Sequence, residues 1–232
     1  MLEWIIVAYG FAAAFLPFLV AYVLVHVYAR RTMRTASHLL PTILFALYIY
    51  CVIYITGTGT IYDIVRSVAG YAPMLHVNLV PFSEGISAGA ILNALMFVPL
   101  GFMLPLIWPR AARALSTTGF AFTFSLAIEL SQLLNNRSTD IDDLIMNTLG
   151  ALIGFALFKL MRLVLSSGSG MPTRTARVSS SVSFSPNAIL SGLGEPALYV
   201  AVMFVGTFLL YNGLGAVNLI YGMNLGILPP GF

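Results

Sequence analysis

The chain has 232 residues, 59% of them hydrophobic and 8% charged, against roughly 45 to 50% and 25% in a soluble globular domain, which excludes a water-soluble fold. Spans of ~20 residues each, about six of them, would use over half the chain and leave no room for a separate soluble catalytic domain. The net charge is +3, yet the basic residues sit in small groups beside apolar segments, as topology signals do, so no nucleic-acid partner is expected.

The first apolar segment runs from about Trp4 to Tyr28, with Pro17 as a kink, and is followed by Arg30, Arg31 and Arg34. It is too long for a signal peptide and has no basic n-region, so it should remain as a helix. The second segment spans about Leu39 to Thr56 and holds Cys51, the single cysteine. An intramolecular disulfide and a cysteine zinc site are therefore excluded, and Cys51 reads as a packing or lipid-facing residue. Next, Ile61, Ile64, Val65 and Val68 recur at i, i+3, i+4 and i+7 opposite Tyr62, Asp63, Arg66 and Ser67, the pattern of a short interfacial helix.

The third segment covers about Ala88 to Trp108, interrupted by Pro99 and Pro105 and followed by Arg110 and Arg113. The fourth covers about Leu115 to Leu134, the fifth about Leu144 to Leu165 and the sixth about Ala197 to Tyr221. Between the last two, residues 166–196 are rich in Ser with Gly and Pro and read as a flexible cytoplasmic linker. The expected fold is all-α, a polytopic transmembrane helical bundle of about six spans with a short interfacial helix before span three. Its expected parts are an N-terminal helix and basic loop (1–38), a four-helix membrane domain (39–165), the linker (166–196) and a C-terminal helix (197–232). Alternating the sides puts Arg30, Arg31, Arg34, Arg110, Arg113, Lys159, Arg162, Arg174 and Arg177 in the cytoplasm and both termini outside.

An ionisable residue within a span costs ~2.5 to 3.5 kcal/mol at mid-helix, so Glu129 in AFTFSLAIELSQLL needs a partner or a purpose. Gln132 follows on the same helical face, and Arg137 stands just beyond the span. Asp140, Asp143 and Asn147 share one side of the start of span five, and Asn93 lies near the outer end of span three. At 1.5 Å per residue, Asn93, Glu129 and Asn147 are expected ~7, ~9 and ~6 Å inside the outer boundary, a common level beneath a charged mouth. Simpler roles compete: polar side chains tie helices together, Asp140 caps span five with Asp143 at N3, and Gly150 and Gly154 let another helix approach.

The segments HVNLVPF (His76–Phe82), NALMFVPLG (Asn93–Gly101), ELSQ (Glu129–Gln132) and RSTDIDDLIMNTLG (Arg137–Gly150) resemble the VanZ-like membrane proteins of bacteria. The resemblance covers about residues 74–165 and adds Asn78 to the candidates. It implies a multi-pass protein of the bacterial cytoplasmic membrane with a bearing on sensitivity to teicoplanin-type glycopeptide antibiotics. The candidate pocket then comprises Asn78, Asn93, Glu129, Gln132, Arg137, Asp140, Asp143 and Asn147, with membrane lipids, a cell-wall precursor or a glycopeptide as partners and no cofactor.

The alternative is an intramembrane enzyme that modifies an envelope lipid, with Glu129 or Asp143 as general base. No nucleophile stands beside them, and of His26, His38 and His76 only the last is placed at the outer mouth. Oxygen donors from Glu129, Asp140 and Asp143 would suit Mg²⁺ or Ca²⁺, but Arg137 competes for the same carboxylates and no metal is expected. A transporter would need helices broken around a midplane site, whereas the ionisable residues cluster toward one face.

Overall fold

In hydrocarbon every backbone N–H and C=O must be bonded within the protein, which leaves helices as the means for an open chain to cross. The computed structural model describes residues 2–28, 36–68, 77–83, 85–135, 139–167, 193–213 and 215–216. In chain order its helices are α1 (Leu2–Tyr28), α2 (Ala36–Thr56), α3 (Ile61–Val68), α4 (Ala88–Ile107), a 3₁₀ turn (Pro109–Ala111), α5 (Ala114–Gln132), α6 (Ile141–Ser167) and α7 (Gly194–Leu210). The one sheet among the described residues pairs two strands of two residues, β1 (Val77–Asn78) and β2 (Thr139–Asp140), in parallel.

The chain is an all-α membrane helical bundle. Among the described residues α1, α2, α4 and α6 are long and apolar enough to cross a membrane. Their outward faces are apolar as well, with Leu16, Val20, Val23, Leu24 and Val27 exposed on α1 and Leu149, Leu152, Ile153, Leu157 and Leu160 on α6. Such a surface suits lipid and not water. Cys51 is exposed on α2.

The count of about six spans needs qualification at two helices. α5 has 19 residues, but Ser, Thr, Glu129 and Gln132 dilute its apolar character. Its hydroxyls are satisfied locally: Thr118 and Thr123 donate to the carbonyls of Ala114 and Gly119 at 2.8 and 2.9 Å, and Ser131 donates to Ile128 at 2.7 Å. Back-bonding of this kind removes most of the cost of placing such side chains in lipid. α7 is apolar, with 17 residues, and of the rest of the expected sixth segment, 214 and 217–221 lie outside the described residues. The expected interruption of span three is corrected, because α4 runs through Pro99 and Pro105 without a break. Most of the Ser-rich linker, 168–192, lies outside the described residues, as do Arg30, Arg31, Arg34, Arg137, Arg174, Arg177 and His76.

The chain divides into two compact units. The first comprises Met1–Ser83, Phe124–Asp142 and Leu198–Phe232. In it α1 meets α2 through Phe11 edge-on to Tyr50 at 5.1 Å, and meets α7 through Phe18 edge-on to Tyr199 at 5.2 Å. Ala14, Phe18, Phe45, Ile49, Tyr199 and Met203 are buried in this unit.

The second unit comprises Glu84–Thr123 and Asp143–Ala197. Here α4 and α6 touch backbone to backbone. A Cβ at Gly150 would overlap the carbonyl oxygen of Ala94, one at Gly154 that of Val98, and one at Gly101 that of Ala151. The step from Ala94–Gly150 to Val98–Gly154 advances both helices by one turn in the same sense, so α4 and α6 run parallel. Ala90, Ala94 and Met146 form the apolar cluster at their start.

Candidate functional site

The last turn of α5 carries two buried polar side chains, Glu129 at 4% and Gln132 at 6% exposure. They stand three residues apart and share one face of the helix. Glu129 reaches beyond its own helix: its Oε2 accepts the backbone N–H of Asp140 at 3.1 Å, and its carbonyl accepts the Thr139 hydroxyl at 3.2 Å. The carboxylate thus fastens the segment returning from α5 to α6. Asp140 in turn is the N-cap of α6, its Oδ1 accepting the N–H of Asp142 at 3.0 Å, as an aspartate at that position can.

The loop after β1 is built onto this knot. Asn78, opposite Asp140 in the β1–β2 pair, accepts the Val80 N–H at 3.1 Å and donates to the Ser83 hydroxyl at 3.1 Å. Its Nδ2 also lies 3.5 Å from both carboxylate oxygens of Asp140, a weak contact at the limit of hydrogen-bond length. Phe82 holds a left-handed backbone, φ 53°, and its N–H donates to Asp142 Oδ1 at 2.8 Å. A bulky residue in that region is strained by an estimated ~1 to 3 kcal/mol and persists where its surroundings fix it. Here the buried Asp142 carboxylate does so.

Gln132, one turn on, has a different partner. Its Nε2 donates to the Thr56 carbonyl at 2.8 Å, and beside it Asn135 Nδ2 donates to the Gly57 carbonyl at 3.0 Å and Ser131 Oγ accepts the Gly59 N–H at 3.2 Å. These three bonds tie the end of α5 to the end of α2 and the segment that follows it. The acceptor half of the amide is different, for Gln132 Oε1 is buried and has no hydrogen-bond partner among the described residues. Flipping the amide would set oxygen against the Thr56 carbonyl, so the bond to Thr56 fixes the orientation. A buried acceptor left unmade costs about 1 to 3 kcal/mol.

Of the candidates, the structure brings Asn78, Glu129 and Asp140 into one network and sets Gln132 one turn away on the same helix. Asn93, Asp143 and Asn147 belong to the second unit. There Asn147 is 2% exposed while Asn93 and Asp143 are half-buried, and the parallel register of α4 and α6 sets Asn147 about level with Asn93. Arg137 lies outside the described residues. Among the described residues no three His, Cys, Asp or Glu side chains gather as a metal-binding group.

Asp142 is the member that sequence reasoning passed over. In the Asp142-Asp143 doublet helical spacing favoured Asp143, which repeats with Asp140 and Asn147. The carboxylate that turns to the loop is the other one, because its partner is a backbone N–H outside the helix. The N-x-x-P-F segment itself was the available signal: a loop motif needs an acceptor for its own N–H groups.

The family model described as VanZ/LLP1 matches residues 45–162, just over half of the chain. No curated protein and no solved structure matches it. The match takes in the second half of α2, the β1 loop, α4, α5 and most of α6, hence every candidate named above. The chain belongs to the VanZ/LLP1 family.

Proposed function

From this membership we propose that the chain is a multi-pass protein of the bacterial cytoplasmic membrane, both termini outside, that recognises a hydrogen-bond-donating group at the outer face. The ligand classes are a membrane-lipid headgroup, a cell-wall precursor and a teicoplanin-type glycopeptide. All three offer hydroxyl, amide or ammonium donors. The observation that carries the reading is the buried Gln132 Oε1, without a hydrogen-bond partner among the described residues, one helical turn from the Glu129 carboxylate. An acceptor held in that state is poised for a donor from outside the chain.

In this reading Gln132 accepts from the ligand, Glu129 and Asp140 give the site its negative character, and Asn78 with Asp142 holds the loop beside it. Arg137 is the steering group for any phosphate of the same ligand. Asn93 and Asn147 form a separate polar level on the α4–α6 pair and are tested separately. The test compares wild type, Gln132→Leu and Glu129→Gln at equal abundance for teicoplanin sensitivity in cells and for retained lipid in purified protein. Gln132→Leu is expected to abolish the change in sensitivity and to shed the retained lipid. Unchanged sensitivity and unchanged lipid in both variants would reduce the two residues to helix ties.

A further inference from the structure

Two surface features of the first unit are inverted with respect to water. On α3 the apolar positions Ile61, Ile64, Val65 and Val68 are exposed, Val65 by 55%, while Tyr62, Asp63 and Arg66 are half-buried. The orientation is fixed where the helix begins. Thr60 donates from its N–H and Oγ1 to Asp63 Oδ2 at 2.7 and 2.9 Å, so the carboxylate three residues on holds the backbone N–H at the helix start. A Cβ at Gly59 would overlap the Ser131 carbonyl oxygen, so the backbone before the cap lies directly on the end of α5. Arg66 Nε is buried on the inward side.

The second feature is the loop after β1. Leu79 and Val80 are exposed by 69% and 62%, and Pro81 and Phe82 beside them are exposed as well. The loop is held in this form by Asn78, by Asp142 and by the Ser83 N–H to Val80 carbonyl bond at 3.3 Å. Both features occur at one end of the unit, where α2 and α5 finish and β1 pairs with β2. The exposed face of α2 leads to it: Leu47, Cys51, Tyr54 and Ile55 form an outward stripe that ends six residues before Ile61.

In water this arrangement spends apolar area at about 25 cal/mol per Å² for no return, and half a turn of α3 would correct it. At a bilayer surface the sign reverses, because an apolar face enters the acyl boundary while the polar face stays with the protein. We infer that α3 and the loop at residues 79–82 form a two-part wedge seated in one leaflet. Ile64, Val65, Val68, Leu79, Val80 and Phe82 contact lipid, and the Phe82–Asp142 bond sets the level of the loop relative to the start of α6. The occupant of both faces is lipid, since they continue the lipid-facing stripe of α2. This goes beyond the ligand reading and stands whether or not a donor binds at Gln132.

The test places single cysteines at Val65 and Val80 in a Cys51→Ala background, with Arg110→Cys as an exposed polar control. The full chain carries an environment-sensitive dye and is reconstituted in phosphatidylcholine–phosphatidylglycerol vesicles. Dyes at Val65→Cys and Val80→Cys are expected to be quenched several-fold more by a nitroxide high on the acyl chain than by aqueous iodide, and the dye at Arg110→Cys the reverse. Iodide quenching at both positions equal to that of the control would overturn the inference. So would loss of both kinds of quenching together with cross-linking of two chains through the same cysteines in undyed protein, which would make a second copy the occupant. Where a variant fails to reconstitute, Ile64→Cys and Leu79→Cys are read by the same criteria.

Discussion

In the second unit α4 and α6 meet backbone to backbone at Gly101, Gly150 and Gly154. In the first, the ends of α2 and α5 meet through side-chain amides, Gln132 to the Thr56 carbonyl and Asn135 to the Gly57 carbonyl. Lipid tails are as apolar as leucine, so burial of hydrocarbon drives neither contact, and both must rely on close packing or hydrogen bonds. The glycine contact is steric and nearly all-or-none. The amide contact is graded, and it leaves one polar atom, Gln132 Oε1, without a hydrogen-bond partner among the described residues.

The largest expected effect breaks the steric side of this comparison. Gly150→Leu forces a branched side chain against the Ala94 carbonyl and should destabilise the bundle by about 3 kcal/mol or more, the upper end for overpacking. Gly119→Leu, on α5 with open space around it, should leave stability unchanged. Unfolding by denaturant in micelles compares the two, and equal loss in both would remove close packing as the bond between α4 and α6.

Next comes Glu129→Ala, which withdraws the acceptor from the Asp140 N–H and should cost about 1 to 3 kcal/mol. Glu129→Gln keeps an oxygen there and should recover most of that loss in the same assay. Failure of the amide to recover stability would mean that the charge and not the hydrogen bond holds the loop. Gln132→Leu deletes a single interhelical bond, and such bonds average about 0.6 kcal/mol in bilayers. Its effect on stability should therefore be small beside its effect on ligand retention, a split that a mere helix tie would not produce.

The most local effect expected is that of Asp142→Asn, which retains an oxygen for the Phe82 N–H but removes the charge assistance. Global unfolding should shift by about 1 kcal/mol at most. Hydrogen exchange at the Phe82 amide should quicken measurably, and exchange unchanged from wild type would show that the strained turn does not depend on that carboxylate.

Much of this architecture was legible in the sequence, because apolar length fixes spans and Gly150 with Gly154 at one-turn spacing marks a close helix contact. Asp140 as the cap of α6 was legible for the same reason, since caps depend on a few neighbouring residues. Less legible was anything decided between distant segments. Helical periodicity set Glu129 in a layer with Asn93 and Asn147, but it could not foresee that Glu129 bonds to a backbone amide eleven residues onward, beyond the end of its helix. The polar composition of α5 likewise hides how well its hydroxyls are satisfied by carbonyls one turn back. The inward turn of Asp63 and Arg66 follows from Gly59 lying on Ser131, a contact that no local pattern announces.

Tyr9 of α1 donates to the Leu210 carbonyl and accepts the Asn212 N–H at 3.1 Å, and the first of these bonds joins residues 201 positions apart. At ~5 to 20 residues per second, the ribosome needs on the order of 10 to 40 s to supply the second partner. Through that interval α1 has α2 at hand, by way of Phe11, Tyr50 and the Val7 carbonyl, while the side destined for α7 faces bare bilayer. Biogenesis therefore includes a clasp: α7 closes over α1 only after the helices between them have been made, and a chain cut within the linker should reassemble when its two pieces are produced together.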